Sequence, residues 1–325
     1  MLCGMYNVIS FLRGWSIFTI VLMHLLMCYD ITGVAKSAIA LGGAGVHVFI
    51  LCSGYGLYLS YLRKPLSYFS FLKRRFGKIY MPYAIVVILT VVWALFKHNS
   101  VSLLEVCSHL FLFKMFDGQL DISIGYRFWF ISTIIQFYLL WPVWVKLAQT
   151  KKPVYISLAI SVVWWIFVYA IDKENNRAWG SSCLQYLWEF VLGMHIAEIY
   201  AEAPERVKIP SLPVLGVCCV VGLSLSAVLA LSGDKFKLFN DIPSLVGYLS
   251  LALFIYKLNI PKLNGIFEYT SGVGYEWYLV HSLVFGIAAL MSIDVTILDI
   301  IFRFGLSYMI AVGYNRILKF ISRCA

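Results

Sequence analysis

Long apolar segments alternate along the chain with short breaks that are polar, charged or rich in turn residues. A helix needs about 20 mostly apolar residues to cross a bilayer. The segments that approach this length are 8–28, 43–62, 80–96, 126–145, 154–171, 183–199, 212–231, 242–257, 273–291 and 295–315. The pattern predicts an all-α integral membrane protein with about ten transmembrane helices, forming a single membrane-embedded domain over residues 1–325.

One further apolar stretch, 101–116, differs from these spans. It carries Glu105, His109 and Lys114 and is bounded by Asp117. A segment this short and this polar is typical of a helix at the membrane interface or of a re-entrant helix.

The basic residues indicate how the predicted spans are oriented. Sixteen Lys and Arg residues lie in one alternating set of connecting segments and seven in the other. Cytoplasmic loops carry the excess of positive charge in membrane proteins. The richer set includes both ends of the predicted bundle, so the N and C termini are expected to be cytoplasmic.

Composition removes several other classes of protein. The chain is 61% apolar and only 13% charged, against about 25% charged residues in soluble domains. Its net charge of +10 lies in short loops, where topology explains it, so no nucleic-acid partner is expected. The eight cysteines show no C-x-x-C spacing and predict neither a disulfide framework nor a metal site.

The first predicted span contains two ionisable residues, Arg13 and His24. Eleven residues make nearly three helical turns, which places both side chains on one face about 16 Å apart along the axis. With Arg13 at the cytoplasmic interface, His24 would lie near the middle of the membrane, where ionisable groups usually line a functional path. The alternatives are an arginine that extends to the interface and a histidine that only packs.

The most basic part of the chain lies between the second and third spans. Lys73, Arg74, Arg75 and Lys78 place four cations within six positions. Such a cluster can hold a phosphorylated ligand at the cytoplasmic face. The spacing agrees equally well with charge that only sets topology.

Two later spans carry polar residues on one face. Trp129 and Gln136 share a stripe of the fourth span with Ser132 beside it, and Tyr278 and His281 lie three residues apart in the ninth. These five residues are candidates for lining a cavity or contacting an acceptor. Hydrogen bonds between helices would explain the stripe equally well, and a structural role is favoured for His281.

Several blocks of sequence occur in a recognisable order. They are Arg13-Gly14 with His24, residues 45–55 (GVHVFILCSGY), residues 71–82 (FLKRRFGKIYMP), residues 128–132 (FWFIS) with 136–142 (QFYLLWP), and residues 274–281 (GYEWYLVH). In this order they resemble the membrane acyltransferase-3 family, whose best-known members O-acylate bacterial surface polysaccharides. Together they cover nearly the whole chain.

The resemblance implies an acyltransferase, with an O-acetyltransferase as the leading expectation. It implies acetyl-CoA or another acyl-CoA as co-substrate and no tightly bound cofactor. The acceptor would be a hydroxyl of a cell-surface or periplasmic glycan or of a lipid-linked saccharide. It also implies a multi-pass protein of the bacterial inner membrane, a catalytic role for His24, a supporting role for Arg13, and donor binding by Arg74, Arg75 and Lys78.

The sequence departs from the family pattern at three positions. Lys78 stands where the basic motif usually ends in Arg, Ile134 where many members have Glu, and His47 where an acidic residue is common. The last two changes bear on the class of acceptor more than on the type of reaction.

Two chemical routes and one rival function remain open from sequence alone. His24 would act either as a general base on the acceptor hydroxyl or as a nucleophile that carries the acyl group. An exporter of a glycan or carboxylate would also suit about ten spans with buried ionisable residues and a basic vestibule. A third possibility is an inactive scaffold.

Overall fold

A computed structural model describes residues 2–260, 262–291, 293 and 295–324 of the chain. Within these residues the protein is helical and contains no β-strand. Its α-helices are α1 (Leu2–Leu26), α2 (Gly33–Ala40), α3 (Gly45–Arg63), α4 (Tyr68–Phe96), α5 (Leu103–Leu110), α6 (Gly118–Asp121), α7 (Trp129–Leu139), α8 (Trp141–Ala148), α9 (Pro153–Ala170), α10 (Arg177–Gly180), α11 (Leu187–Glu202), α12 (Leu212–Leu231), α13 (Asp241–Lys257), α14 (Leu263–Ser271), α15 (Gly274–Ala288) and α16 (Thr296–Cys324). Short 3₁₀ turns occupy Leu41–Ala44, Lys114–Phe116, Tyr126–Phe128, Pro204–Arg206, Asp234–Phe239 and Ala289–Met291.

The helices agree in position with the predicted spans, but fewer of them are long enough to cross a membrane. Among the described residues, six helices meet the length and hydropathy required, or up to eight when each of two bent helix pairs is taken as one span. The predicted spans 183–199 and 242–257 correspond to α11 and α13, which have 16 and 17 residues. The all-α class is confirmed, whereas ten crossings and cytoplasmic termini stay predictions.

Two pairs of consecutive helices meet at a bend. α7 and α8 meet at 64° next to Pro142, which has no N–H to continue the helical hydrogen bonds. α14 and α15 meet at 84° across Gly272 and Val273. The first bend lies inside the predicted span 126–145, and the second lies at the start of the predicted span 273–291.

Ionic contacts between loops agree with the predicted alternation of sides. Arg177 lies 3.8 Å from Asp121, and Lys235 forms an ion pair with Asp172, so three segments predicted on the outer side meet. On the opposite side, the Nζ of Lys257 donates to the carbonyl of Pro210 at 2.8 Å. These contacts agree with the predicted alternation for the loops that they join, and the side that faces the cytoplasm stays a prediction.

The bundle is held together by close helix crossings at glycine. A Cβ on Gly54 of α3 would lie 2.0 Å from the carbonyl oxygen of Phe190, and one on Gly193 of α11 would lie 2.1 Å from that of Leu51. A Cβ on Gly14 of α1 would lie 1.8 Å from the carbonyl oxygen of Phe267. Small residues let helix backbones approach in this way, and here they fix α1 and α3 against their neighbours.

Candidate active site

Helix α1 begins earlier than the sequence predicted, and this changes the positions of Arg13 and His24. The helix starts at Leu2, so Arg13 lies near its centre and His24 lies two residues before its end. Residues 2–7 extend the helix because they carry no proline or charge that would end it. Arg13 is therefore central in α1 and His24 is near one end of it, while the depth of the two residues in the membrane stays a prediction; their spacing along one helix holds.

His24 pairs with His281, a residue of α15 that is 257 positions away in sequence. The Nδ1 of His24 lies 2.9 Å from the Nε2 of His281, and the rings are nearly parallel, at 5°. His281 is fully buried, whereas His24 is only half-buried. The buried ring thus supports the more accessible one.

The backbone of α15 assigns the proton positions in this pair. The Nδ1 of His281 lies 2.7 Å from the carbonyl oxygen of Tyr278 and 3.2 Å from that of Trp277, and a carbonyl can only accept a hydrogen bond. His281 therefore carries its proton on Nδ1, and its Nε2 accepts a hydrogen bond from the Nδ1–H of His24. With both rings neutral, the Nε2 of His24 keeps a free lone pair.

Arg127 and Ser282 complete the surroundings of the histidine pair, and neither was assigned a role from sequence. Arg127 donates from Nη1 to the Ser282 hydroxyl at 2.9 Å and from Nη2 to the backbone carbonyl of His24 at 3.4 Å. The Ser282 hydroxyl lies 3.3 Å from the Nε2 of His281. The sequence signal that could have identified Arg127 is a lone arginine at the start of the predicted span 126–145.

Tyr278 lies one helical turn before His281, but its hydroxyl is not available to a substrate. Its hydroxyl donates to the backbone carbonyl of Arg127 at 2.5 Å, and the residue is buried. It fixes the turn that carries Arg127 against α15.

The predicted donor residues come together with Arg13. The charges of Arg13 and Arg74 act on both Arg75 and Lys78, which places all four cations in one region although Arg13 is on another helix. Arg13 is exposed at the midpoint of a helix whose adjacent residues Leu12 and Gly14 are buried. Arg13 is therefore an accessible cation in the middle of α1, on the side of the helix that faces the basic residues of α4.

Among the basic residues, Arg75 has the features that best suit binding of an anionic ligand. Its Nε is buried and has no hydrogen-bond partner among the described residues, while its guanidinium packs over the ring of Phe71 at 5.7 Å. A guanidinium held by stacking, with an unused N–H, suits bidentate contact with a phosphate.

A row of aromatic rings connects Arg13 to the histidine pair. The Arg13 guanidinium packs over Phe49 at 5.6 Å, and ring centroids follow at 5.7 Å to Phe130, 5.9 Å to Tyr278 and 6.1 Å to His281. The basic region and His24 therefore flank one continuous aromatic wall.

The polar stripe of the fourth span has two different roles. Gln136 accepts from the backbone N–H of Cys183 at 3.0 Å and donates to the sulfur of Met115. Ser132 is buried, with its hydroxyl 3.5 Å from the carbonyl of Leu112. These two side chains connect α7 to neighbouring segments, as the alternative of interhelical hydrogen bonding predicted.

Trp129 differs from them because it is half-buried and faces the predicted outer loops. The Arg177 guanidinium lies 4.9 Å from its ring centroid. The charges of Arg127 and Arg177 both act on His24, so Trp129 and Arg177 belong to the surroundings of the histidine pair.

A buried lysine organises the segment that precedes Arg127. Lys114 is completely buried, and its Nζ donates to the carbonyls of Asp121 and Gly125 at 3.2 and 3.1 Å. Burial lowers the pKa of Lys114 from 10.5 to about 8, against the opposing effect of Asp121. The segment 101–116 does contain a short helix, α5, closed at its start by a capping box between Ser102 and Glu105.

The cysteines whose side chains are described, Cys28, Cys52, Cys107, Cys183, Cys218 and Cys219, are free thiols. The side chains of Cys3 and Cys324 lie outside the described part of the chain.

Comparison with known proteins identifies one family. A family model described as an acyltransferase domain, Acyl_transf_3, matches residues 6–316. No curated protein and no solved structure matches the chain. The matched region contains most of α1, the basic residues of α4, Arg127 and the histidine of α15.

Proposed function

The chain belongs to the acyltransferase-3 family, and from that premise we propose that it is a membrane O-acyltransferase with His24 at its reactive centre. The donor in this proposal is a cytoplasmic acyl-CoA, with acetyl-CoA as the first candidate. The acceptor is a hydroxyl of a glycan at the opposite face, and the membrane is the bacterial inner membrane crossed about ten times with both termini cytoplasmic.

The observation that carries the proposal is the free Nε2 of His24. An imidazole whose Nδ1–H is held by a second group presents Nε2 as a base or nucleophile, which is the arrangement used by catalytic histidines that have an orienting partner. Here the orienting partner is His281, itself fixed by the carbonyls of Trp277 and Tyr278.

The basic region supplies the donor end of the reaction. Arg74, Arg75 and Lys78 would hold the phosphates of CoA, with Arg13 beside them on α1. The acyl-bearing arm would then run beside the aromatic wall of Phe49 and Phe130. Its thioester would reach His24, which is about 16 Å from Arg13 along α1.

In the general-base route, the Nε2 of His24 takes the proton of the acceptor hydroxyl as its oxygen attacks the thioester carbonyl carbon. The intermediate collapses with cleavage of the C–S bond, and the imidazolium returns the proton to the departing thiolate. In the nucleophilic route, Nε2 itself attacks the carbonyl carbon and the C–S bond breaks, which leaves an acylated imidazole and the CoA thiolate. The acceptor oxygen then attacks the acyl carbon, the C–N bond breaks, and the hydroxyl proton is taken up by the thiolate. The position of Arg127 suits stabilisation of the negative oxygen in either route.

The outer-facing residues Trp129 and Arg177 are the proposed acceptor contacts. An aromatic face and a guanidinium in one place suit a sugar ring and its hydroxyls. Ser132, Gln136 and Tyr278 would shape this region through their hydrogen bonds to the backbone and to Met115. The family match does not favour the exporter.

The proposal is tested by comparing surface glycans of cells that have the protein with those of cells that lack it. Cells are given acetate labelled with carbon-14, and the glycan is isolated and treated with mild alkali, which cleaves O-esters. We expect alkali-labile label only when the protein is present. An exporter would instead change the amount of surface glycan while the label per sugar stays the same, and that result would overturn the proposal.

A further inference from the structure

A second polar cluster lies apart from the histidine pair, where the first turns of three helices meet. His47 is in the first turn of α3, Glu189 in that of α11, and Asp241 begins α13. One potential ligand atom from each lies within 4.8 Å of the other two. The closest pair is the Nδ1 of His47 and the Oε1 of Glu189, at 2.7 Å.

Among the described residues, only the His47 imidazole is placed to balance the two carboxylates of this cluster. Glu189 is completely buried and Asp241 is 5% exposed. Among the described residues, no Lys or Arg forms an ion pair with either carboxylate, and Glu189 has only His47. The positive ends of α11 and α13 favour the ionised carboxylates, so the cluster gathers negative charge inside the protein.

Two buried oxygen atoms at the cluster have no hydrogen-bond partner among the residues that the structure describes. They are the Oε2 of Glu189 and the Oε1 of Gln185, and both residues are at least nine-tenths buried. The amide nitrogen of Gln185 donates to Asp241 at 2.8 Å, which holds the Gln185 side chain beside that carboxylate. Buried polar atoms normally have a hydrogen-bond partner. These two oxygen atoms each have a lone pair to donate, which indicates a missing electron-pair acceptor such as a metal ion.

We propose that His47, Glu189 and Asp241 bind a divalent transition-metal ion, with the Gln185 carbonyl oxygen as an additional ligand. One imidazole, two carboxylates and an amide oxygen suit Zn²⁺ or Mn²⁺. The ion would replace the proton shared by His47 and Glu189, satisfy both unpartnered oxygens and offset the two carboxylate charges. It would tie α3, α11 and α13 together at one end of the bundle.

The ligand set explains why the sequence predicted no metal. The three residues are separated by 142 and 52 positions and follow no short motif. Only the packing of α3 against α11, at Gly54 and Gly193, and of α13 beside them brings the side chains together.

The test uses the full chain in detergent, stripped with a chelator and then equilibrated with Zn²⁺, Mn²⁺ or Co²⁺. We expect one ion per chain by elemental analysis, and for Co²⁺ a visible ligand-field spectrum that reports an imidazole ligand. Binding should release protons and should therefore strengthen as pH rises. An equal concentration of Mg²⁺, which prefers oxygen ligands and its own water, should not compete.

Glu189→Gln and Asp241→Asn are close to isosteric and remove one ligand charge each. Each should weaken binding at least about 10-fold, as loss of a group that holds a metal typically does. His195→Gln is the matched control, because His195 pairs only with the partly exposed Glu198, at 3.3 Å; it should bind as the wild type does.

If a cluster variant does not fold, the wild-type protein still decides the question. Stoichiometric Co²⁺ with an imidazole-type spectrum supports the site, as does a rise in the thermal midpoint on adding Zn²⁺. Absence of stoichiometric metal in the folded wild-type protein would overturn the proposal and assign the cluster to proton sharing. Unchanged binding by folded Glu189→Gln would overturn it as well.

Discussion

At the scale of single residues, the proton positions on two histidines determine what the site can do. Two backbone carbonyls of α15 fix the proton of His281, and His281 in turn fixes that of His24. The structural role favoured for His281 from sequence is therefore incomplete, because the residue is also the hydrogen-bond partner of the proposed catalytic imidazole.

Replacing His281 by Ala should lower acyl-transfer turnover by roughly 10- to 100-fold, the range for losing a group that orients a functional imidazole. The affinity for acyl-CoA should remain, since His281 is not in the basic region. Turnover and donor affinity are measured on folded protein isolated by size exclusion.

Added imidazole serves as the control for His281→Ala, because it can enter the space left by the side chain and accept the Nδ1–H of His24. Partial recovery of turnover is expected. Normal turnover in folded His281→Ala without imidazole would remove His281 from the site.

Residue spacing could predict that Arg13 and His24 share a helix face, because both lie on one continuous helix. It could not predict their partners. His24 contacts a residue 257 positions away, and Arg13 packs on Phe49 of another helix. Helical periodicity contains no information about which faces of different helices meet.

At the scale of elements, the packing of the bundle and the proposed metal site depend on how closely α3 and α11 approach. Gly54→Ala places a methyl group 2.0 Å from the carbonyl oxygen of Phe190, which neither helix can accommodate without moving. The substitution should reduce the free energy of unfolding by about 1–3 kcal/mol, a typical cost of overpacking. The change is measured as a lower thermal midpoint in detergent.

Gly56→Ala is the matched control on the same helix, since a Cβ there meets nothing within 4 Å. It should be neutral or slightly stabilising, because alanine favours the helix by about 1 kcal/mol over glycine. Equal midpoints for the two variants would show that the α3–α11 approach is not tight.

The segment that carries Arg127 should respond to pH through Lys114. Its pKa is lowered by burial from 10.5 to about 8, so between these values the unfolded chain binds more protons than the folded one. This group therefore adds stability as pH rises from 8 to 10.5, by at most about 3 kcal/mol. Below pH 8 Lys114 is protonated in both the folded and the unfolded chain, so it no longer changes the free energy of unfolding with pH.

Lys114→Met isolates this contribution, because tyrosines also titrate in that range. The difference in thermal midpoint between wild type and Lys114→Met should shift in favour of the wild type from pH 8 to 10. A difference that is constant with pH would show that Lys114 keeps its ordinary pKa.

The sequence predicted the places of the helices more reliably than their continuity. All ten apolar segments contain helix, yet α7 breaks from α8 beside Pro142, and α14 meets α15 at a sharp bend. An apolar segment has the same composition whether it is straight or bent. The bends depend on the packing of neighbouring helices as well as on local residues.

At the scale of the whole molecule, the account requires the basic region and the outer loops to lie on opposite sides of the membrane. Single cysteines introduced near residues 70, 150 and 205 should be labelled only from the cytoplasm, and those near 120, 175 and 237 only from outside. The background is a variant without reactive native cysteines, tested for folding. Labelling of residue 70 from outside would separate the basic region from cytoplasmic acyl-CoA and contradict the proposed direction of transfer.

The most direct test of the account is acyl transfer by purified His24→Gln, with labelled acyl-CoA on one side of a liposome and glycan on the other. Glutamine keeps some hydrogen bonding but cannot accept a proton near neutral pH. We predict that turnover falls by about 10²- to 10⁴-fold, while acyl-CoA still binds and His195→Gln transfers normally. Turnover close to wild type in folded His24→Gln would contradict the central claim that His24 is the base or nucleophile.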